Sequence, residues 1–542
     1  MKFNLADVFE TVADAVPDRV MLSYEGDNYT YPEMDALINQ VAHMFVAHGI
    51  GHDDNVALFL KNSVEHVTSL IGLLKVRASP VNVNYRYTDA ELEYIFENSD
   101  SKAIVVELPE HQASVARLMA KLPELTTVFV IGEVSAELRE AAAALDGRTV
   151  EVVDFAEHTS ASTERDFEPR NGEELYLLYT GGTTGYPKGV MWQHDDFFRK
   201  PISGGNPYGD PRESLEHLAA EVKNFPSLAF LIAAPLMHGA ASYSLFTFLS
   251  LGGRLIIERD FDAEKIVRNI GRDQTQIVLI VGDAMGAPLA DELEKQKDTA
   301  DLSSLFSIAS GGAIWSQSVR DRLVAVKPEL LLRDNFGASE SGNDGEIMLD
   351  ENGNLKVPPT PRMMVVDELF ERVETPNQPG YIARVGNIPL GYYKDPEKTA
   401  RTFPTMADGT RISVLGDMGY VTEDGSIVFL GRGSQCINTG GEKVYAEEVE
   451  AALHGHPAIA DALVVGVADE KYGQSVAAVA RLEDGMEEPT LEDVQEFCRQ
   501  TLARYKVPRT VVFVDEVKRT PAGKADYKWA KTAASRPVGA SS

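Results

Sequence analysis

The sequence predicts an α/β protein with a large N-terminal domain of stacked α/β sheets, a β-rich subdomain and a small C-terminal α/β domain. Three observations carry this prediction. Short apolar runs alternate with segments of helical periodicity over most of the chain, the pattern of parallel sheet covered by helices. From about Gly353 the pattern changes to short strands and turns, "GYIARVG" and "SVLGDMGYVTEDGSIVFLGR". After Arg432 the alternation restarts over a length that can bury its own small core. A chain of 542 residues is too long for one compact core. The expected divisions are 1–431, a hinge at 432–435, a second domain at 436–530 and a disordered tail at 531–542.

In order, "YPEMDALINQVAHMFVAHGI" spaces its apolar residues as a helix and ends near Gly49 and Gly51. "NVALFL" follows as a buried strand and "EHVTSLIGLLKV" as a helix, then "KAIVVE" and "TTVFVIG" as strands. Further on come strand "LAFLIAAP", helix "YSLFTFLS", strand "RLIIE", helix "AEKIVRNIGRD" and strand "QIVLIVG". "LFSIASGGA" and "LLLRDNFGASESG" each run from an apolar strand into a small, polar loop. Such loops at the carboxyl ends of strands are where open α/β sheets bind ligands. The last segment supplies helix "AEEVEAALHGHP", strands "DALVVGV" and "SVAAVARL", helix "LEDVQEFCRQTLA" and strand "TVVFVDEV".

The stretch Ser227–Gly253 carries no charged side chain and is long enough to suggest a membrane span. Pro235, His238, Gly239 and the terminal Gly pair interrupt it, so a strand, a loop and a buried helix are expected instead. The net charge of −32 argues against non-specific binding to nucleic acid or anionic membrane. Only Cys436 and Cys498 occur, without metal-type spacing, which fits a reducing compartment. The start "MKFNLADVFETVADAV" lacks a secretory pattern, and a cytoplasmic location is expected.

The chemistry begins in "YLLYTGGTTGYPKGV". A Walker loop needs Gly before its Lys and Ser or Thr after it. Here Pro187 precedes Lys188 and Gly189 follows it. Gly181, Gly182 and Gly185 let backbone N–H groups curl around an oxyanion, and Thr180, Thr183 and Thr184 add hydroxyl donors. With the Lys188 cation, this set suits a polyphosphate such as that of ATP.

"YTGGTTGYPKGV" closely resembles the signature loop of the adenylate-forming enzymes, among them the acyl-CoA synthetases. Further family motifs follow in order: "PLMHGA", "SGGA", "DNFGASESG", "GDMGY", "GRGSQCINTGGEKVYAEEVE" and "PAGK". The resemblance covers nearly the whole chain. It implies that a substrate carboxylate attacks the α-phosphate of ATP, giving acyl-AMP and pyrophosphate. The nucleophile is already an anion, so the difficulty is electrostatic and calls for cations, Mg²⁺ and aligned donors.

Residue by residue, the resemblance gives Glu340, with Thr180, the role of binding Mg²⁺. Ser339 stands where the family more often has Thr and keeps the hydroxyl. Phe336 resembles the aromatic that stacks on adenine, while Gly311, Gly312, Asp334, Asn335 and Gly337 would line the nucleotide. Asp417 corresponds to the acid that accepts both ribose hydroxyls, and Arg432 would contact ribose or phosphate. Lys524 would bridge carboxylate and phosphate during adenylation. The family's C-terminal domain is mobile. Its rotation would replace Lys524 by the "NTGGEKV" segment, whose Gly440 and Gly441 admit pantetheine for thioester formation. At the hinge, where family members commonly carry Asp or Lys, this chain has Ser434 followed by Gln435.

His238 would stand where the acyl pocket meets the thiol tunnel. Gly239, Ala240, Ala241, Gly311 and Gly312 suggest a roomy pocket rather than one cut for acetate. The resemblance is strongest to actinobacterial CoA ligases of fatty-acid and steroid side-chain breakdown. The expected reaction converts a medium-chain, long-chain or bulky apolar acid to its CoA thioester, using ATP, Mg²⁺ and coenzyme A. A ligase specific for steroid side-chain acids and an enzyme delivering acyl-AMP to a carrier protein are the alternatives. No nucleic-acid partner and no transmembrane segment are expected, and homodimerisation is left open.

Overall fold

The computed structural model describes residues 2–180, 186–311, 317–346, 348–349, 355–432, 436–483, 485–518 and 526–535. Two eight-stranded sheets dominate the N-terminal part. In one, six neighbouring parallel strands include Ala229–Ile232, Ile277–Ile280, Ser307–Gly311 and Leu331–Ala338, with an antiparallel strand at each edge. In the other, six parallel strands including Asn55–Phe59, Ser79–Asn82 and Leu175–Thr180 are joined on one side by the antiparallel strand Lys188–Gln193. Side chains of both sheets enter one shared core, built around the helices Tyr31–Ala47, Val64–Lys75 and Gly239–Ser250.

Local chemistry sets these helices. Thr30 caps Tyr31–Ala47 by accepting from Glu33 N, while the Glu33 carboxylate returns to Thr30 N, a reciprocal capping box. Ser63 caps Val64–Lys75 by accepting from His66 N at 3.1 Å. The Ser227–Gly253 stretch divides into the strand Ala229–Ile232 and the 12-residue helix Gly239–Ser250, as its interruptions predict. Among the described residues no helix is long and apolar enough to cross a membrane.

The strand that begins at Leu331 corrects the sequence reading. The polar stretch Asp334–Ala338 is not a loop but continues the strand, because Gly342–Glu346 folds back and pairs with it antiparallel. That pairing satisfies backbone groups that the small side chains could not cover. It also requires glycine, since a Cβ on Gly337 would lie 2.0 Å from the Gly342 carbonyl oxygen. A six-stranded antiparallel sheet follows, its first strand at Met348–Leu349, slightly before the expected start. Residues from Cys436 onward build a separate five-stranded sheet with its own buried cluster around Val449, Val464 and Val494.

Candidate active site

A cavity of about 860 Å³ opens where the carboxyl ends of the parallel strands meet the C-terminal unit. Its floor is one face of three neighbouring strands. Leu279, Ala309 and Arg333 lie in one register row, and Gly311 and Asn335 in the next but one. The helix Gly239–Ser250 forms a wall through Gly239, Ala240, Tyr243, Ser244 and Thr247. Gly311 faces it closely, since a Cβ there would sit 3.5 Å from the Ala240 Cβ.

At the mouth, the Asn82 amide binds two motifs together. Its Nδ2 donates to the carbonyls of Tyr179 at 2.9 Å and Met237 at 2.6 Å, and its Oδ1 accepts from Tyr179 N at 2.6 Å. The strand entering the Gly/Thr loop is thereby tied to the segment carrying His238.

Phe336, expected to meet the nucleotide, packs edge-on against Phe429, ring centroids 4.5 Å apart, with the Arg384 guanidinium 5.5 Å from its ring. Arg384 is fully buried. It donates to Asp417 at 2.9 Å and to Asp344 at 3.0 Å, while Lys200 Nζ lies 3.2 Å from Asp344. Lys200, Asp344, Arg384 and Asp417 thus form a buried run of alternating charges. Burial opposes the Arg384 charge, but the two carboxylates outweigh it and hold the pKa above its ordinary value.

Lys188, expected to meet phosphate, is almost fully buried, and its Nζ has no hydrogen-bond partner among the described residues. Burial, aided by the nearby Lys398 charge, brings its pKa down to about 8. Its Nζ lies 5.6 Å from the centre of the Tyr392 ring, and the Tyr392 hydroxyl donates to Glu340 at 2.8 Å. The turn carrying Glu340 is fixed by Trp192 and Tyr243, which donate to the Ser339 carbonyl at 2.8 and 2.9 Å.

The C-terminal unit closes the mouth with the hairpin that carries Gly440 and Gly441. Both have positive φ, and a Cβ on Gly441 would fall 2.0 Å from Val281 Cγ1. Glu442, beside them, accepts from Arg86 at 2.6 Å and lies 3.2 Å from His238 Nε2. Burial would raise the Glu442 pKa, but the neighbouring His238 and Arg86 overcome it and hold it low. A buried pair between Lys506 and Glu91, 2.6 Å apart, holds the same docking.

Thr180, His238, Gly239, Gly311, Asn335, Phe336, Gly337, Ser339, Gly440 and Gly441 therefore line one cavity. Ala240 joins them, whereas Ala241 is packed into the core. Asp334 is not in the lining and pairs with Arg320. Asp417, Lys188 and Glu340 stand outside the lining, held by the contacts above. Gly181, Gly182, Thr183, Thr184, Gly185, Gly312, Ser434 and Lys524, and the side chain of Arg432, lie outside the described residues. Sequence reasoning gave no role to Asn82, Arg86, Lys200, Asp344, Arg384 and Tyr392: Arg384 falls in the stretch read only as the strand "GYIARVG", and Asp344 two residues past "DNFGASESG".

A fold of this kind, in which Thr180 at the end of its strand and the hairpin of Gly440 and Gly441 line one cavity, defines an adenylate-forming enzyme. The chain belongs to the AMP-binding enzymes: the family model "AMP-binding enzyme" matches residues 9–393, and "AMP-binding enzyme C-terminal domain" matches 448–524. It is 41% identical over 543 residues to 3-oxocholest-4-en-26-oate–CoA ligase of Rhodococcus rhodochrous, covering 98% of this chain and 96% of that one. It is 36% identical over 553 residues to the medium-chain acyl-CoA ligase Mig of Mycobacterium avium, covering 98% of each. Amide bond synthetase McbA from Marinactinospora thermotolerans shares the fold, with a TM-score of 0.78 at 24% identity over 97% of this chain and 99% of that one. The protein is an ATP-dependent acyl-CoA ligase.

Proposed function

We propose that the acid it activates is medium-chain, long-chain or bulky and apolar. The observation that carries this reading is the continuous cavity of about 860 Å³, lined by Phe225, Leu228, Phe248 and Ile277, with Phe336 and Gly440 on the same lining. A pocket for acetate would have no use for the apolar end at Phe225, Leu228, Phe248 and Ile277. The names of the relatives, a steroid acid ligase and a medium-chain acyl-CoA ligase, point the same way.

In the first half-reaction, a carboxylate oxygen bonds to the α-phosphorus as the bond to pyrophosphate breaks. Lys188 and the Gly/Thr loop hold the departing pyrophosphate, Phe336 and Asp417 hold adenine and ribose, and Lys524 bridges the two anions. Glu340, with Thr180, would hold Mg²⁺ through hard oxygen donors. When bound, Mg²⁺ neutralises charge on the phosphates. In the second half-reaction the CoA sulfur bonds to the acyl carbon, AMP leaves, and the thiol proton is released. Gly440 and Gly441 let pantetheine pass beside the backbone, and His238, paired with Glu442, stands at the junction. The domain boundary at 432–435 supplies the rotation between the two steps.

The test measures AMP and thioester together over acids from acetate to steroid side-chain acids. Equal yields of both, rising with apolar size, are expected. Preference for acetate would refute the substrate class, and acyl-AMP accumulating with CoA present would refute thioester formation.

A further inference from the structure

Arg333 is an anomaly of the cavity. It lies on the cavity floor, in register with Ala309, and shares its strand face with Asn335 and Gly337. It is two residues, about 7 Å by strand rise, deeper than Asn335. Around this deeper end the lining is Tyr208, Phe225, Leu228, Ile277, Phe306 and Ser307. The Ser307 hydroxyl is already committed to the Leu331 carbonyl at 2.9 Å. In a chain with 83 acidic residues, Arg333 makes no ion pair or hydrogen bond among the described residues. Its recorded contact is with the face of Tyr208, 5.8 Å from guanidinium carbon to ring centre. That contact steadies the guanidinium through the ring and leaves its N–H edge free to donate.

The remaining charged groups of the lining are placed differently. Arg86 and Glu442 pair with each other at the mouth, and Asp344 is held by Arg384 and Lys200. Arg362 belongs with Val357 and Thr360 to the six-stranded-sheet side. Phe306 and Tyr208, 41% and 47% exposed, show that this end is open to solvent, so an acyl group longer than the floor need not be truncated.

We infer that Arg333 is a specificity-determining residue that donates a hydrogen bond to an acceptor on the end of the acyl group remote from the reacting carboxylate. This rests on the acyl-CoA ligase reading and sharpens its substrate class to long or polycyclic acids oxygenated at the far end. A neutral carbonyl is the acceptor, because the protein's net charge of −32 opposes a second anion at this solvent-open end.

The experiment compares kcat/KM for three acids of one steroid skeleton whose side chain ends in the reacting carboxylate: a ring ketone distal to it, the methylene analogue, and a distal carboxylate. The wild type is expected to prefer the ketone over the methylene acid roughly ten- to hundred-fold, chiefly through KM, the range of a charge-assisted hydrogen bond. Arg333→Met should erase the preference by weakening the ketone acid alone, and Arg333→Lys should restore part of it. Equal loss on both acids, a surviving preference in Arg333→Met, or the same erasure by Arg362→Met would overturn the inference. A wild type that prefers the distal carboxylate would overturn the choice of a neutral acceptor. Failure of the wild type to make a thioester from any acid would instead refute the ligase reading.

Discussion

Arg384 and Asp417 form an ion pair of 2.9 Å in which the guanidinium is wholly shielded from water and the carboxylate nearly so. The residue assigned to the ribose hydroxyls is therefore not a free surface acid but one end of a buried, charge-compensated run. Replacing Arg384 by Met would leave Asp344 and Asp417 facing each other without their shared cation. We expect a stability loss of about 3–5 kcal/mol, the cost of an uncompensated buried charge. A thermal melt reads this directly, and an unchanged melting temperature would contradict it. In protein that remains folded, KM for ATP should rise more than KM for 2′-deoxy-ATP, the outcome the proposed ribose contact of Asp417 requires.

Lys188 is expected to make ATP affinity pH-dependent. Its folded pKa of about 8 lies below the ordinary 10.5, so the unliganded protein loses this ammonium as pH rises through 8. Phosphate binding requires the charged form, so KM for ATP should climb above that pH. The same shift makes the charged form cost stability below pH 8, and the cost fades between 8 and 10.5 as the unfolded chain alone retains the proton. Arg at position 188 stays charged, and a flat KM profile in Lys188→Arg is expected. An unaltered rise in that variant would exclude Lys188 as its source.

Gly441 is predicted to separate the half-reactions. The positive φ and the 2.0 Å approach to Val281 leave no room for a methyl group. Gly441→Ala should still release pyrophosphate from ATP and acid, but thioester formation from preformed acyl-AMP should fall at least about a hundredfold, the order of loss for a reactive group misplaced by about 1 Å. Loss of both activities to the same degree would count against this placement.

Lys524→Ala is the complementary experiment. It should cripple adenylation while largely sparing thioester formation from preformed acyl-AMP. Parallel loss would refute the assigned role.

The alternation of strands and helices was legible because each buried strand is a local apolar run and each helix carries its own caps, as at Thr30 and Ser63. The extension of the Leu331 strand through Ala338 was not, because its cause is pairing with the Gly342–Glu346 strand rather than any property of "DNFGA". The motif residues that line the cavity could be named in advance, and their supports could not. Asp344, Arg384 and Asp417 lie far apart in the chain, and no local spacing announces that folding will join them. Asn82 ends an unremarkable strand, and only the folded sheet shows what its amide connects.

That amide carries a consequence of its own. Because Asn82 clamps the phosphate-loop strand and the His238 segment with three hydrogen bonds, the two are held in fixed registration. Its loss would leave each partner able to arrive while spoiling their alignment. Asn82→Ala should therefore resemble a slipped gauge rather than a damaged pocket, with KM for ATP and acid nearly intact and kcat falling by about two orders of magnitude.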